Sequence, residues 1–397
     1  MNILVLQCGA PTAVVNASVW GAIEKSRNQR SVHRLWGARR GLHGLMTGEW
    51  VELTDYRDHD SRRLELQAGA ALGSGRTPLR KEDLDIVWQR LGERDIRALL
   101  IIGGNGSMAA AKSLSEGAIG AGFPLQVIGV PKTIDNDIAG TETSPGYGSA
   151  ARFIAQSVHD AGLDLWAMRD FDQVVLFEVM GRYSGWLAAA SSLARWSDSA
   201  SPHVIVLPEV ALDEDAFCSA VESWRRREGV CMVVVAEGAR DRDGAFLAER
   251  YRQAEQDSAG QKLLGFAGGA APYLTQLLRA RLELRCRHVR PETIQRSSTA
   301  LASEVDRALA RQVGADAVQA AVEGRSGVMI ALERTGDCWK SVPVSLAQVA
   351  GRERTLPPQF IDAQNFDVTP LFTGYARPLI GGWSPGVIDL AQWKETV

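Results

Sequence analysis

Short runs of aliphatic and β-branched residues alternate along the chain with stretches in which apolar residues recur three and four positions apart. The apolar runs occupy residues 3–6, 98–102, 127–130, 174–179, 203–207 and 231–236. The helix-like stretches occupy residues 13–27, 108–116, 147–161, 185–195, 215–227 and 303–324. Because continuous apolar runs suit strands that are buried on both faces, the pattern predicts mostly parallel sheets covered by helices, an α/β fold.

The length of 397 residues exceeds the roughly 100–200 residues of a typical domain, which predicts two closely joined domains. Threonine, serine, glycine and proline interrupt the periodic pattern at residues 140–145. This interruption predicts a boundary there.

Composition and charge argue against several classes of protein. The formal net charge is -3, which leaves no overall basic field for nucleic acid. Arginines cluster at residues 225–227 and 279–290, but such clusters are more typical of a solvated helix face or a small-anion pocket. We expect no nucleic-acid partner.

The five cysteines are widely spaced and form no Cys-x-x-Cys pair, which is typical of a reducing compartment. The first residues form a strand-like run and lack the features of a signal peptide, and no stretch of about 18 apolar residues follows. The sequence therefore predicts a cytoplasmic protein that does not enter the membrane.

Two small-residue turns each lie between a predicted strand and a predicted helix. The first contains Gly9 and Ala10, and the second spans residues 103–107, where Ser107 is suited to the helix N-cap. Backbone N–H groups in such turns can bind phosphate, although any tight connection from a strand to a helix also favours small residues. Two such turns at one edge of a parallel sheet favour a ligand site there.

The third turn, residues 131–137, follows another apolar run. It places Asp135 and Asp137 two residues apart, beside Lys132 and Thr133. These residues suit phosphoryl transfer, with one carboxylate as a base and the other near a metal. An ordinary surface turn is the alternative, but a lysine at the end of a buried strand would then lack a partner.

Together these motifs resemble the phosphofructokinases, and the similarity extends from Asn2 to about Glu333. The segments that carry it, in the order seen in that family, are residues 103–107, 131–137, 144–149, 178–182, 185–186, 208–209 and 294–296. The resemblance implies two Rossmann-like domains with the active site in the cleft between them. Residues 1–142 and roughly 296–340 would bind the phosphoryl donor, and residues 143–295 and roughly 341–397 the sugar phosphate.

The resemblance also implies roles on the donor side. Asp135 corresponds to the general base, Thr133 to a catalytic and acceptor-binding residue, and Arg76 and Lys132 to cations that neutralise the donor phosphates. Donor binding is implied for Gly9, Ala10, Gly104, Asn105, Gly106 and Ser107. The implied cofactor is Mg²⁺, with Asn105 and Asp137 as its protein ligands and Asp137 also near the acceptor.

On the acceptor side, Met180, Gly181 and Arg182 resemble the loop that grips the sugar phosphate. Glu209 resembles a carboxylate that binds sugar hydroxyls, and Arg296 an arginine that binds the 6-phosphate. Arg287 is either a second phosphate ligand or an ordinary exposed arginine. The family further implies a homodimer or homotetramer.

Some positions depart from the family pattern. Asn105 replaces an aspartate and supplies no charge to a metal. Gly106 leaves room for a nucleotide, whereas Lys132 is typical of pyrophosphate-dependent members, so the donor is pyrophosphate or ATP, with pyrophosphate favoured on overall similarity. Cys8 and Ala10 replace a serine and a glycine.

Three functions remain open from the sequence besides phosphorylation of fructose 6-phosphate. The first is a specialised biosynthetic enzyme that acts on another sugar phosphate. The second is a non-catalytic regulator that binds a sugar phosphate or nucleotide, although such a protein would not need Asp135. The third is a lipid or nicotinamide-nucleotide kinase, which leaves Met180, Gly181 and Arg182 unexplained.

Overall fold

The computed structural model describes residues 1–56, 61–256, 260, 262–336 and 338–387. Its strands are β1 Asn2–Gln7, β2 Arg34–Ala38, β3 Trp50–Glu52, β4 Ile96–Gly103, β5 Gln126–Pro131, β6 Val174–Val179, β7 Val204–Val206, β8 Cys231–Ala236, β9 Cys286–Val289, β10 Val328–Thr335, β11 Cys338–Ser345, β12 Ile361–Asp362 and β13 Asp367–Val368.

The α-helices alternate with these strands through most of the chain. They are α1 Val15–Arg27, α2 Leu42–Thr47, α3 Ser61–Leu66, α4 Leu84–Glu93, α5 Asn105–Gly120, α6 Tyr147–Ala167, α7 Trp186–Ala190, α8 Glu214–Glu228, α9 Ala270–Leu282, α10 Ile294–Ser297, α11 Glu304–Val322, α12 Leu346–Val349 and α13 Pro370–Ala376. Single 3₁₀ turns lie at Lys81–Asp83, Ser191–Ala194, Leu247–Glu249, Leu264–Phe266, Pro358–Phe360 and Arg377–Ile380.

The larger sheet has the strand order β11-β10-β5-β4-β1-β2-β3. Its five inner strands are parallel, and β11 and β3 are antiparallel to their neighbours. Alternate residues of β1 enter two different cores: Ile3 and Val5 pack with α1 and α11, whereas Leu4 and Leu6 pack with α4 and α5. The sheet is therefore covered on both faces, as its apolar runs predict.

The smaller sheet has the order β7-β8-β6-β9, and all its strands are parallel. Val174 and Leu176 pack against α8 and α9, whereas Val175 and Phe177 belong to the core that contains α6 and α7. That second core also contains residues of the larger sheet. One continuous core thus joins the two sheets, and the predicted α/β fold with parallel sheets is confirmed.

The described part of the C-terminal region contributes to both sheets. The predicted division at residue 340 falls within β11, all eight residues of which pair with β10 in the larger sheet. The segment after α12 then crosses to the smaller sheet, where Ile205 N–H donates to Phe366 C=O over 2.7 Å. Residues 388–397, which we assigned to the second domain, lie outside the described residues.

Among the described helices, none combines the length and the apolar character that crossing a bilayer requires.

Candidate active site

The turn after β5 is held to the end of the neighbouring strand, β4. Lys132 N–H donates to Gly103 C=O over 3.0 Å. The lysine side chain is only 4% exposed, and its Nζ donates to Ala10 C=O over 2.6 Å. Burial lowers the pKa of this ammonium to about 8. The lysine therefore lies beneath the Gly9–Ala10 turn.

Asn136 fixes the shape of this turn. It is fully buried, and its φ of 52° is in the left-handed region, which asparagine tolerates better than most residues. Its Nδ2 donates to Tyr375 Oη over 2.7 Å, and its Oδ1 accepts a 3.0 Å hydrogen bond from Ser144 N–H. The carboxylates of Asp135 and Asp137 thus flank a fixed residue.

Asp135 lies where the two sheets approach each other. Its N–H donates to Thr133 Oγ1 over 3.1 Å, and its C=O accepts a 3.0 Å hydrogen bond from Ser184 Oγ, which belongs to the loop after β6. Burial raises the pKa of the Asp135 carboxyl, as do the nearby carboxylates of Asp137 and Glu237. Arg182 and Lys132 oppose this shift.

Arg296 takes part in the same set of interactions. Burial lowers its pKa and the positive charge of Arg76 lowers it further, whereas Asp135 and Glu237 oppose the shift. Groups that influence one another in this way lie close together. We refer to the set as the charged cluster: Arg76, Lys132, Asp135, Asp137, Arg182, Glu237 and Arg296.

Asn105 and Asp137 form a polar pair beside the cluster. Asn105 Nδ2 donates to Asp137 Oδ2 over 2.8 Å, while Asn105 Oδ1 is buried and has no hydrogen-bond partner among the described residues. Burial raises the pKa of the Asp137 carboxyl. A buried, unpartnered amide oxygen next to a buried carboxylate fits a divalent cation with oxygen ligands.

The protein would supply only part of such a coordination sphere. In the described ranges, no group of three or more His, Cys, Asp or Glu residues is placed to hold a metal. Mg²⁺ usually takes one or two carboxylates and completes its shell with water and substrate phosphates.

The small-residue turns complete what we call the large-sheet edge, the carboxyl ends of β1, β4 and β5 with the turns that follow them. Gly9 has a φ of 73°, and its N–H donates to Gly75 C=O over 3.1 Å, which brings the Arg76 loop alongside.

Gly104, not Ser107, is the N-cap of α5. The N-cap prediction for Ser107 is wrong because the helix begins earlier, at Asn105.

Open space surrounds Gly106 in the first turn of α5. A Cβ built on Gly106 would meet no atom within 4 Å. Neither the fold nor a neighbouring side chain therefore requires glycine there.

The opposing small-sheet edge comprises the ends of β6 and β8 and the residues that follow them. Met180 N–H donates to Gln295 Oε1 over 3.0 Å, so α10, which also carries Arg296, is fixed to this loop. Gly181 has a φ of 129°, and its C=O accepts a 3.1 Å hydrogen bond from Gly238 N–H. The loop is therefore held by residues that lie far away in the sequence.

Comparison with known proteins identifies the family. A family model described as Phosphofructokinase matches residues 2–321. The chain belongs to the phosphofructokinase family. It is similar to a pyrophosphate–fructose 6-phosphate 1-phosphotransferase from Xanthomonas campestris pv. campestris, with 38% identity over 393 residues that cover 97% of this chain and 92% of the relative.

Two further phosphofructokinase-like relatives match almost the full length of the chain. A sulfofructose kinase from Alkalicoccus urumqiensis is 33% identical over 399 residues, 98% of this chain and 96% of the relative. A crystal structure of a pyrophosphate-dependent phosphofructokinase from Nitrosospira multiformis is 32% identical, with a TM-score of 0.88 and coverage of 100% of this chain and 94% of that one. The predicted family is confirmed.

Glu237 belongs to the charged cluster, but none of the sequence motifs pointed to it. It directly follows β8, and its N–H donates to Val179 C=O over 2.8 Å. Burial raises the pKa of its carboxyl to about 7, against the effect of Arg182. Its position after a buried strand, at the same sheet edge as residues 180–182, is a signal that could have identified it.

Glu209 contacts the backbone. Its Oε1 accepts 2.8 Å hydrogen bonds from Gly185 N–H and Leu356 N–H. Its Oε2 is buried without a hydrogen-bond partner in the part of the chain that the structure describes. The carboxylate thus joins the loop before α7 to the C-terminal segment, and its predicted contact with sugar hydroxyls stays a prediction.

Arg287 is not brought to the charged cluster within one chain. It pairs with Val175, near the amino end of β6, whereas the cluster lies at the carboxyl end. Its side chain is 60% exposed and its Nε lies 2.8 Å from Asp172 Oδ1. The strand register therefore separates Arg287 from Arg296 within one chain, and the role of Arg287 as a second phosphate ligand stays a prediction.

Proposed function

We propose that this phosphofructokinase transfers a phosphoryl group from pyrophosphate to the 1-hydroxyl of fructose 6-phosphate, with Asp135 as the general base. The observation that carries the proposal is the position of Asp135, whose C=O accepts a hydrogen bond from Ser184 of the small-sheet edge, while Lys132 and Arg182 oppose the rise in the pKa of its carboxyl that burial causes. The pyrophosphate-dependent relatives support the choice of donor.

The large-sheet edge is suited to the donor. Lys132 and Arg76 would supply positive charge, and the start of α5 would supply backbone N–H groups, whereas Gly9 N–H already donates to Gly75 C=O. Phosphoryl transfer proceeds through a loose transition state, so positioning and charge stabilisation account for most of the catalysis. The donor would lie with its terminal phosphorus towards Asp135.

The small-sheet edge is suited to the acceptor. Arg182 and Arg296 would bind the sugar phosphate, since a guanidinium can donate two parallel hydrogen bonds to a phosphate. Glu237 would accept a hydrogen bond from a sugar hydroxyl. The 1-hydroxyl would then face Asp135.

The reaction forms one bond to phosphorus and breaks another. Asp135 takes the proton of the 1-hydroxyl while the hydroxyl oxygen attacks the terminal phosphorus of pyrophosphate. The bond between that phosphorus and the bridging oxygen breaks, and orthophosphate leaves. General base catalysis of this kind contributes typically 10²–10⁴-fold. Asn105 and Asp137 would hold Mg²⁺, which when bound neutralises charge on the donor phosphates.

Two observations bear on the choice of substrates. By resemblance, Lys132 is typical of pyrophosphate-dependent members and supports pyrophosphate, whereas the open space at Gly106 would admit a nucleotide. A second candidate acceptor is sulfofructose, because the sulfofructose kinase matches nearly the whole chain at an identity close to that of the pyrophosphate-dependent relatives.

The test is a panel of two donors and two acceptors. Purified protein is incubated with Mg²⁺, pyrophosphate or ATP, and fructose 6-phosphate or sulfofructose, and the phosphorylated sugar is quantified. We expect the highest kcat/KM with pyrophosphate and fructose 6-phosphate. Sugar-phosphate binding without turnover from either donor would instead support a non-catalytic regulator.

We further propose that the enzyme is a cytoplasmic homodimer or homotetramer. Light scattering coupled to gel filtration tests the assembly, with a monomer mass of 43.0 kDa as the result that would contradict it. Fractionation of the cells that make the protein tests the location, and recovery with the membranes would contradict it.

A further inference from the structure

Arg354, from the C-terminal segment, contacts the backbone of the turn that carries Asp135 and Asp137. Its N–H donates to Asp137 C=O over 2.7 Å, and its Nε donates to Asn136 C=O over 3.0 Å. Its Nη1 donates to Glu142 C=O over 2.8 Å, and its guanidinium carbon lies 4.4 Å from the centre of the buried Trp186 ring. The side chain therefore links two parts of the loop after β5, at Asn136 and at Glu142.

Tyr375, on α13, holds the same turn through Asn136. Its Oη accepts a 2.7 Å hydrogen bond from Asn136 Nδ2 and donates over 2.7 Å to Glu142 C=O. The tyrosine ring packs 5.2 Å from the Trp186 ring, centre to centre. Arg354 and Tyr375, which we call the C-terminal brace, thus share Glu142 C=O as an acceptor and Trp186 as a packing surface.

The turn needs such support for two physical reasons. Asn136 adopts positive φ, a conformation that is maintained only where surrounding contacts enforce it. The carboxylates on either side of it also repel each other. Since a displacement of about 1 Å at a reacting group can lower a rate about 10²-fold, contacts that fix the turn affect catalysis without touching a substrate.

We infer that Arg354 and Tyr375 are positioning residues, which hold the Asp135–Asp137 turn in its catalytic geometry through backbone carbonyls and the Asn136 side chain. The inference rests on the proposed function for the role of Asp135. It concerns residues 218 and 239 positions away from Asn136 in the sequence, outside the motifs that carry the family resemblance.

The test compares Arg354→Gln, Arg354→Lys and Tyr375→Phe with wild type in the pyrophosphate-dependent assay. For Arg354→Gln we expect kcat to fall about 10²-fold, with the KM of both substrates within about threefold, because Lys132, Arg182 and Arg296 stay in place. Tyr375→Phe should lower kcat about tenfold. Arg354→Lys should recover part of the loss, since lysine can still donate to one of the two carbonyls.

Arg195→Gln is the matched control. Arg195 also tethers the C-terminal segment, through two hydrogen bonds of 2.9 and 2.8 Å from Nη1 to Asp367, but its other hydrogen bond is to Pro202 C=O and not to the turn. Arg195→Gln should lower Tm by an amount similar to Arg354→Gln and leave kcat within about twofold. Equal losses of kcat in both variants, or unchanged kcat in the brace variants, would overturn the inference.

Hydrogen exchange separates failure of the brace from failure of the proposed function. Amides 135–137 should exchange faster in Arg354→Gln than in Arg195→Gln, whether or not pyrophosphate is the donor. An inactive wild-type protein with this exchange pattern would contradict the proposed function alone. Unchanged exchange at the turn would contradict the brace.

Discussion

On the large-sheet edge, Lys132 is held by a backbone hydrogen bond between neighbouring strand ends, from its N–H to Gly103 C=O, and the C-terminal brace adds side-chain contacts to the Asp135–Asp137 turn. On the small-sheet edge, backbone hydrogen bonds also occur, but side chains from distant segments hold two of its residues: Gln295 holds Met180, and Glu209 holds Gly185. Backbone contacts survive most substitutions, whereas side-chain contacts do not. Substitution of Lys132 or Asp135, which are held through their backbones, should therefore act on catalysis with little effect on the fold, whereas substitution of Glu209, whose side chain makes the contact, should affect stability.

The largest effect should come from Asp135→Asn, at the junction of the two edges. Loss of the general base should lower kcat about 10²–10⁴-fold. Tm should not fall, because the two hydrogen bonds that hold Asp135 use its backbone. Steady-state kinetics and a thermal melt provide the measurement. Asp160→Asn on the exposed surface of α6 is the control, and a kcat for Asp135→Asn equal to that of this control would exclude the base assignment.

Lys132→Met tests the large-sheet edge by itself. Removing a preorganised charge from the donor side should lower kcat about 10²–10³-fold and leave the dissociation constant of the sugar phosphate unchanged. Burial lowers the pKa of Lys132, so the charged form is destabilised in the folded protein at neutral pH and Tm should not fall. Lys112→Met, at an exposed lysine paired with Glu116 on α5, is the matched control. A clear loss of Tm in Lys132→Met would contradict the contrast between the edges.

Arg182→Lys should have an intermediate effect, confined to the acceptor. Lysine cannot donate two parallel hydrogen bonds to a phosphate. Because the loss of one hydrogen bond to a charged group costs about 1.5–3 kcal/mol, we expect the KM of fructose 6-phosphate to rise roughly 10- to 100-fold. The KM of pyrophosphate should stay within about threefold. Arg242→Lys, at an exposed arginine paired with Asp213, serves as control. An equal rise in both KM values would mean that Arg182 does not distinguish the two edges.

Glu209→Gln should have the smallest effect, which appears in stability. Burial raises the pKa of Glu209 above its ordinary value of 4.5. The wild-type protein therefore loses stability as pH rises from 4.5 through the raised folded-state pKa, whereas glutamine does not titrate. In thermal melts at successive pH values, the Tm of Glu209→Gln should exceed that of wild type by an increasing amount as pH rises through this interval. A pH-independent difference would contradict the burial effect, and a tenfold rise in acceptor KM would support direct sugar binding.

The same contrast explains which parts of the site could be predicted from the sequence. Lys132, Asp135 and Asp137 lie in one contiguous motif after an apolar run, and the ends of parallel strands meet at one edge, so their proximity could be predicted. Glu237 and Gln295 depend on which strands pair and on where α10 docks. A single sequence does not specify that pairing.

Local sequence patterns also explain which strands could be predicted. The buried central strands β1, β4, β5, β6 and β8 were predicted closely because both of their faces are apolar. Strand β2 and the edge strands β3 and β11 were missed, since their partly exposed residues give no continuous apolar run. The partnership of Asn136 with Tyr375 spans 239 residues, and no local pattern in either segment indicates it.

The most direct test of the shared site is calorimetric titration of Asp135→Asn with fructose 6-phosphate, in the presence and absence of Mg²⁺ and saturating pyrophosphate. Because this variant should bind both substrates without turning them over, we predict one sugar phosphate bound per chain in either condition, with pyrophosphate still in place. Mutual exclusion of the two ligands would contradict the claim that the two sheet edges hold donor and acceptor side by side around Asp135.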